Sequence, residues 1–569
     1  MQFDKALKYL GDFGVYQRVV YFSLCLMAVP VAWHSTGNTF LSAKPAHQCR
    51  LYQGYVYNAS EAYDTVRSCE IPKLKDGQWD SCNMYNTSAT HDDNNGECNS
   101  TYLWQSIPCQ MGWVYDDGIY RSTVVTEWDL VCEDNALRQL SKTLVLVGKL
   151  FGSLLFGQLA DTFGRKKSFT LAILLMVACG TGSAFANSLI LFLVLQFIIG
   201  VVSTATFVVA IVIANEMVGK SFRVTAGIVF EYFYTIGYLS MALIAWCLDG
   251  DWRKIELAIS IPPIIFLAYY FIVPESPRWL ISRGKMAEAE KIVRKAAKVN
   301  KVDLPNSVFE DKKDPEQKRL PCLSQLQENR HSEETKTFID LMRYPNLRRK
   351  AFIVYFVWLS NNMVYFGLTY FTEDLGSDPY LSFFLAGLVE IPAYILCQLL
   401  LGRIGRKWLI CIFMTVGGVS LLSTLAVPKG SSSYLYPLPH NSVTQNRFKR
   451  VVANNKENNN SNLGTLTLAI AMIGKLCISG SYAIVYLYAI EIFPTPVRNA
   501  GVGGGAMLSR IGSISSPYIL LLADYTFPEF PFLIFGSFTL VSGILMLVLP
   551  DTMGVKLPET MQEGEDFGK

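Results

Sequence analysis

Histidine is scarce, five in 569 residues, and no His-Glu-x-x-His pattern occurs, so the sequence offers no zinc-hydrolase site. A phosphate-cradling loop is missing too. Val218-Gly219-Lys220-Ser221 has the end of one, but Ala214 stands where its first glycine is required. ATP-driven pumping and enzymatic chemistry therefore find no support. Charge is thin: 17% of residues, a net +3, confined largely to gaps between apolar runs, which leaves no nucleic-acid footprint. What the chain has in excess is apolar sequence, 51%, more than a soluble protein of this size buries comfortably. Lipid is its expected solvent.

A helix needs about 20 mostly apolar residues to cross the hydrocarbon core. Runs of that kind fall at 19–42, 139–160, 168–187, 190–214, 225–247, 254–273, 351–372, 380–401, 408–427, 464–488, 501–523 and 531–549. The fold class is an all-α membrane protein with twelve spans. The first run carries Trp33 and His34 in its apolar core and follows the amphipathic Phe3, Leu7, Leu10 and Phe13, so it reads as a span rather than a cleaved signal. Basic residues fill alternate gaps: Arg165, Lys166 and Lys167 after the second span, Lys220 and Arg223 after the fourth, Arg403, Arg406 and Lys407 after the eighth. The gaps after the seventh and eleventh hold Glu373, Asp374, Asp378, Asp524 and Glu529 instead. The positive-inside rule then makes both termini cytoplasmic.

The long gap at 43–138 contains Cys49, Cys69, Cys82, Cys98, Cys109 and Cys132, and sequons at Asn58, Asn86 and Asn99; a further sequon, at Asn459, follows the ninth span. Disulfides and glycans belong outside, in agreement with the charge rule. Six cysteines predict three disulfides in any of fifteen pairings. The remaining cysteines mostly lie in spans and are expected to pack. The organisation is a cytoplasmic N-terminus (1–18), a six-helix half (19–274) with the outer loop, an intracellular linker (275–350), a second six-helix half (351–549) and a cytoplasmic tail (550–569).

The halves repeat a plan. Gly157-Gln-Leu-Ala-Asp161-Thr-Phe-Gly164-Arg165-Lys166 has a degenerate counterpart in Gly402-Arg403-Ile-Gly405-Arg406-Lys407; Glu216 precedes Arg223 by seven residues, as Glu491 precedes Arg498. Acidic and basic groups at helix ends suggest conformational latches on the inner face, formed by Asp161, Arg165, Glu216, Arg223, Arg406, Glu491 and Arg498; anchoring in headgroups is the alternative.

Three further segments, Leu10-Gly11-Asp12-Phe13-Gly14-Val-Tyr16-Gln17, Thr126-Glu127-Trp128-Asp129-Leu130-Val131-Cys132 and Pro274-Glu275-Ser276-Pro277-Arg278-Trp279, together with the six-cysteine loop, resemble the organic cation/anion/carnitine (zwitterion) transporter family of the major facilitator superfamily. The resemblance runs nearly the whole chain. It implies a rocker-switch carrier with a cavity between two pseudo-symmetric halves.

Ionisable residues at membrane depth are costly and functional by default. Lys149, Glu231, Glu390, Lys475 and Arg510 stand there, and three bases against two acids leave a positive charge for an anionic group. A guanidinium clasps a carboxylate bidentately. In the resembling family the position of Arg510 is acidic in cation carriers and basic in carnitine-type and anion carriers; Glu390 matches a family acid and Tyr365 a family aromatic. Aromatics hold quaternary ammonium groups through cation–π attraction. Tyr365 leads, with Trp358, Phe366, Tyr232, Tyr234, Tyr482 and Tyr486 behind it. The substrate site is thus expected at Arg510, Glu390, Tyr365, Lys475, Glu231, Trp358 and Tyr482, although internal ion pairs and ordinary helix packing would use the same residues.

The expected function is plasma-membrane transport of small organic cations or zwitterions by alternating access. An organic anion carrier, or a receptor or channel, is the alternative. No cofactor or metal is expected. A monovalent cation gains about 2.3 kcal/mol per 100 mV on entering a negative interior; a zwitterion gains nothing, so its accumulation would need coupled Na+ or H+, for which Asn38 and Glu231 are candidates. The expected partners are the substrate and the bilayer.

Overall fold

The computed structural model describes residues 7, 9–53, 55, 57, 71–72, 79–85, 106–219, 222–305, 338–373, 375, 378–427, 442–555 and 557–568, with the side chains of 223–224, 338–339 and 442–463 outside that description. Its twelve principal helices are α1 (Val15–Leu41), α2 (Asn135–Phe163), α3 (Arg165–Ala184), α4 (Leu189–Met217), α5 (Arg223–Cys247), α6 (Trp252–Ile272), α7 (Pro345–Phe371), α8 (Pro379–Leu400), α9 (Arg406–Ser423), α10 (Ser442–Ile492), α11 (Arg498–Tyr525) and α12 (Phe530–Met546). Eleven contain a stretch long and apolar enough to cross a bilayer, and α12 is a shorter apolar helix. The chain is a multi-pass membrane protein.

Helix ends depart from expectation where local chemistry overrides hydropathy. Pro345 starts α7 after the extended Tyr344, because a proline at the first helical position gives up an N–H that would be unpaired anyway. Residues 345–350 therefore join the second half rather than the linker. The backbone of α10 is helical back to Ser442, although the apolar stretch begins only near 464. Prolines also interrupt helices internally. Pro30 has no N–H for the Leu26 carbonyl, and α1 breaks at Met27; Pro392 leaves the Leu388 carbonyl without its usual partner, and α8 breaks at Val389. The adjacent Pro262 and Pro263 turn the middle of α6 into 3-10 geometry through Ala268.

Small residues draw helices together. A Cβ on Gly148 of α2 would lie 3.0 Å from the Gly200 Cα of α4. At the turns into α3 and α9, Gly164 and Gly405 adopt φ of 107° and 90°, a region L side chains rarely enter. An acid seats on each turn from the end of its own half. Glu275 accepts hydrogen bonds from the backbone N–H of Arg165 (2.9 Å) and Lys166 (3.2 Å), and Asp551 packs against Gly405. The first turn is thus an acid-capped helix start, and an acid stands in the matching place at the second.

The linker and tail are each fastened to one half. The linker helix Met286–Asn300 ends with Asn300 accepting from the Tyr16 N–H (2.9 Å) and donating to the Leu10 carbonyl (3.1 Å). The tail helix Met561–Asp566 places Glu565 on the start of α7, where it accepts from the N–H groups of Asn346 (3.0 Å) and Leu347 (2.9 Å).

In the loop between α1 and α2, β1 (His47–Cys49) pairs antiparallel with β4 (Trp113–Tyr115), and β2 (Asn83–Tyr85) with β3 (Ser106–Pro108). Disulfides join Cys49 to Cys109 and Cys82 to Cys132. Cys69, Cys98, Asn58, Asn86 and Asn99 lie outside the described residues, and Asn459 falls in the early part of α10, its side chain undescribed. The Thr126–Cys132 segment closes over the first half. Glu127 accepts from the Trp252 indole N–H (2.9 Å) and pairs with Arg253, while Trp128, Phe192 and Trp252 pack ring on ring at 5.4–5.6 Å.

Candidate functional site

A cavity of about 610 Å³, counting space continuous with its mouth, lies between the halves. From the first half it is lined by Val31 and Ser35 of α1, Lys149 of α2, Thr204 and Phe207 of α4, and Glu231 and Tyr234 of α5. Tyr365 and Phe366 of α7, Tyr394 of α8, Tyr482 of α10 and Arg510 of α11 complete it. Helical spacing explains the presentation. Gly148 and Gly152 turn one side of α2 to α4, and Lys149, about 100° round the helix, faces the cavity. Gly512 lets α11 approach the Leu359 backbone of α7, which leaves Arg510 on the other side of its helix. Thr204 with Phe207, and Glu231 with Tyr234, are i,i+3 neighbours sharing a face.

The cavity thus collects two cations and one acid among aromatic rings. Lys149 Nζ sits 4.8 Å from the Phe366 ring centroid, and Tyr365 stacks on Tyr482 at 5.9 Å. Among the described residues, Lys149, Glu231 and Arg510 form no ion pair. Charge held at membrane depth without an internal partner is available to a ligand of opposite sign.

Of the residues expected at the site, Arg510, Tyr365, Glu231 and Tyr482 line the cavity and three do not. Lys475 and Glu390, both fully buried, pair with each other at 3.5 Å. Lys475 Nζ also donates to Thr369 Oγ1 (2.7 Å) and the Tyr365 carbonyl (3.2 Å), and lies 3.4 Å from the Tyr365 ring centroid. Glu390 accepts from Thr235 Oγ1 (3.1 Å) of the other half. The pair therefore lies behind Tyr365 and stiffens the ring that faces the cavity. Trp358 stacks on Tyr486 at 5.9 Å and packs on Gly505, away from the lining. Sequence reasoning passed over Ser35, Thr204, Phe207 and Tyr394; a serine or phenylalanine in an apolar helix carries no signal of which face it occupies.

Asp161 and Glu216 both pair with Arg165, at 2.9 and 3.6 Å, and Glu491 pairs with Arg406 at 3.2 Å. These bonds lie within a half rather than across the two. Arg498 donates to the Phe493 carbonyl, and the Arg223 side chain lies outside the described structure. The ion pairs that join the halves, among the described residues, are on the side of the 43–138 loop. Arg138 and Lys142 of α2 converge on Glu373 after α7, Lys142 at 2.8 Å, and Lys44 faces Asp524 at 3.7 Å. Phe40 also packs on Phe383 at 4.8 Å there. Burial would raise the Glu373 carboxyl, but Arg138 and Lys142 outweigh it and hold it below its ordinary value.

The family described as "Sugar (and other) transporter" matches residues 76–563. An organic cation transporter protein of Drosophila melanogaster is 37% identical over 573 residues, covering 100% of this chain and 95% of its own. A beta-alanine transporter of the same organism is 33% identical over 586 residues, with 99% and 89% covered. The human organic cation/carnitine transporter 2 is 33% identical over 573 residues, with 99% and 93% covered. The inward-open xylose transporter XylE from E. coli shares the fold, with a TM-score of 0.59 at 15% identity over 97% of this chain and 99% of its own. Twelve helices in two related halves around a central cavity, and relatives matched end to end, place this chain in the major facilitator superfamily, as a member of the sugar (and other) transporter family in its organic cation and carnitine transporter branch.

Proposed function

We propose that this protein is a plasma-membrane carrier of small organic zwitterions that also accepts organic cations, working by alternating access. The observation that supports this reading best is the cavity, where Arg510 and Lys149 share a space with Glu231 and a tyrosine-rich wall. A carboxylate pairs with the guanidinium, an ammonium with Glu231, and alkyl groups on nitrogen with the aromatic faces. Relatives named for organic cations, carnitine and beta-alanine fit the same chemistry. The two disulfides of the loop, a bond kept in oxidising compartments, support an orientation with the loop external and both termini cytoplasmic. Two bases against one acid also favour a second reading, an organic anion carrier.

The test is uptake of labelled carnitine, tetraethylammonium and p-aminohippurate by wild type and Arg510→Ala at matched surface levels. A charge-assisted bond of about 1.5–3 kcal/mol predicts a loss of carnitine transport efficiency of roughly tenfold to a hundredfold, with tetraethylammonium spared. Carnitine uptake equal in both proteins would remove Arg510 from the substrate site. Uptake of p-aminohippurate alone would favour the anion reading.

A further inference from the structure

Beneath the Trp128–Phe192–Trp252 cap lies a second group of polar side chains inside the first half, apart from the cavity. Glu256 of α6, one turn below Trp252, is fully buried, and among the described residues neither carboxylate oxygen has a well-formed hydrogen bond, the Gln196 amide being the polar group within its reach. Ser260, one turn further on, is equally buried with an unpartnered Oγ. Gln196 of α4 faces Glu256 and donates to Ser183 of α3. His34 of α1 is 4% exposed with an unpartnered Nε2, and its ring meets Ser260 across Gly180, whose missing Cβ leaves the space between them.

No cation among the described residues answers this carboxyl. Arg253, three residues earlier on α6, is held elsewhere: it pairs with Glu127 and donates to the Ala184 and Ala186 carbonyls. Lys254 pairs with Asp251 at 3.1 Å. On the helices packed against α6, His34 of α1 borders Ser260 at Gly180, and Cys179 of α3 precedes that glycine in the chain; a thiol carries no positive charge and the ordinary imidazole value lies below neutral pH. An uncompensated buried carboxylate costs several kcal/mol, so the group needs a bound cation to neutralise it. The neighbours are an imidazole, an amide and a hydroxyl, too few oxygens for the shell of a hard metal ion, whereas a carboxyl and an imidazole both accept protons.

We propose that Glu256, with His34, Gln196 and Ser260 around it, is a proton-binding site whose occupancy is coupled through α1 to the central cavity. The coupling has a short path. His34 borders the proton site, and the next residue, Ser35, lines the cavity. Binding converts the carboxylate to a neutral acid, and release returns the proton without any other bond changing. The aromatic cap separates the site from the external side, so the proton enters when that cap loosens.

Infrared difference spectra of the purified full-length protein over a pH titration read the carboxyl directly, without substrate. The expected result is a protonated-carboxyl band that is lost in Glu256→Gln, with His34→Gln shifting its midpoint. A spectrum unchanged by Glu256→Gln overturns the proposal, whether or not the protein carries carnitine. Uptake of labelled carnitine by the same variants then tests coupling. Wild-type uptake should vary with external pH and Glu256→Gln uptake should not, while replacing external sodium leaves both unchanged. A pH profile retained in Glu256→Gln, or lost only on sodium removal, rules out coupling through this site.

Discussion

Lys475→Met is expected to destabilise the protein by about 3–5 kcal/mol, because it strands Glu390 as an unpaired charge in the membrane interior. Both partners are fully buried, 3.5 Å apart, and the Thr235 and Tyr365 hydroxyls, which also donate to Glu390, bring no charge to balance it. Thermal unfolding of the purified protein measures the loss, with surface expression as a second reading. Lys475→Met combined with Glu390→Leu should recover most of it, since replacing both members of a buried pair is often close to neutral. A single variant as stable as wild type would show that the pair does not hold the fold. Recovery of stability together with carnitine uptake would assign the pair to supporting Tyr365 rather than to touching substrate.

Glu373→Gln is expected to open the closure on the side of the 43–138 loop, external in the proposed orientation. Its carboxylate is where Arg138 and Lys142 of one half meet the other. Removing it leaves two buried cations facing each other, at a cost to the closed arrangement of about 3–5 kcal/mol, or a population shift of roughly a hundredfold to several thousandfold. A cysteine placed at the buried Ser42, whose carbonyl accepts from Arg138, should then react faster with an impermeant maleimide added outside, in a Cys247→Ser background. Unchanged labelling would locate the external closure elsewhere. The pH dependence has a definite sign. A carboxyl held below its ordinary value contributes its stabilisation above that ordinary value and loses it as pH falls through the lowered one. External closure should therefore be indifferent to pH through the neutral range and weaken only in acid below the usual carboxylate range.

Much of the fold was legible because the bilayer imposes a length on each apolar run. Helix ends were less so, since Pro345 starts a helix through backbone chemistry that hydropathy does not register. At the site, depth alone singled out five ionisable residues, and depth does not report direction. Lys149 and Arg510 turn to the cavity, while Lys475 and Glu390 turn to each other. The difference lies in which face of each helix packs, set by glycines such as Gly148 and Gly512 against particular neighbours. The paired arginines were visible as a repeat, but their closure within each half depends on three-dimensional neighbours: Arg165 reaches Glu216, and Arg406 reaches Glu491.

Asn300 ties the linker helix to the first half, and Glu565 ties the tail helix to the start of α7 in the second. The two attachments share one side of the membrane and belong to different moving bodies. A pair of spectroscopic labels, one at the exposed Lys298 and one at the exposed Gln562, would thus act as a ruler across the mouth opposite the 43–138 loop, lengthening and shortening with each turnover without touching the cavity or the closure beneath that loop.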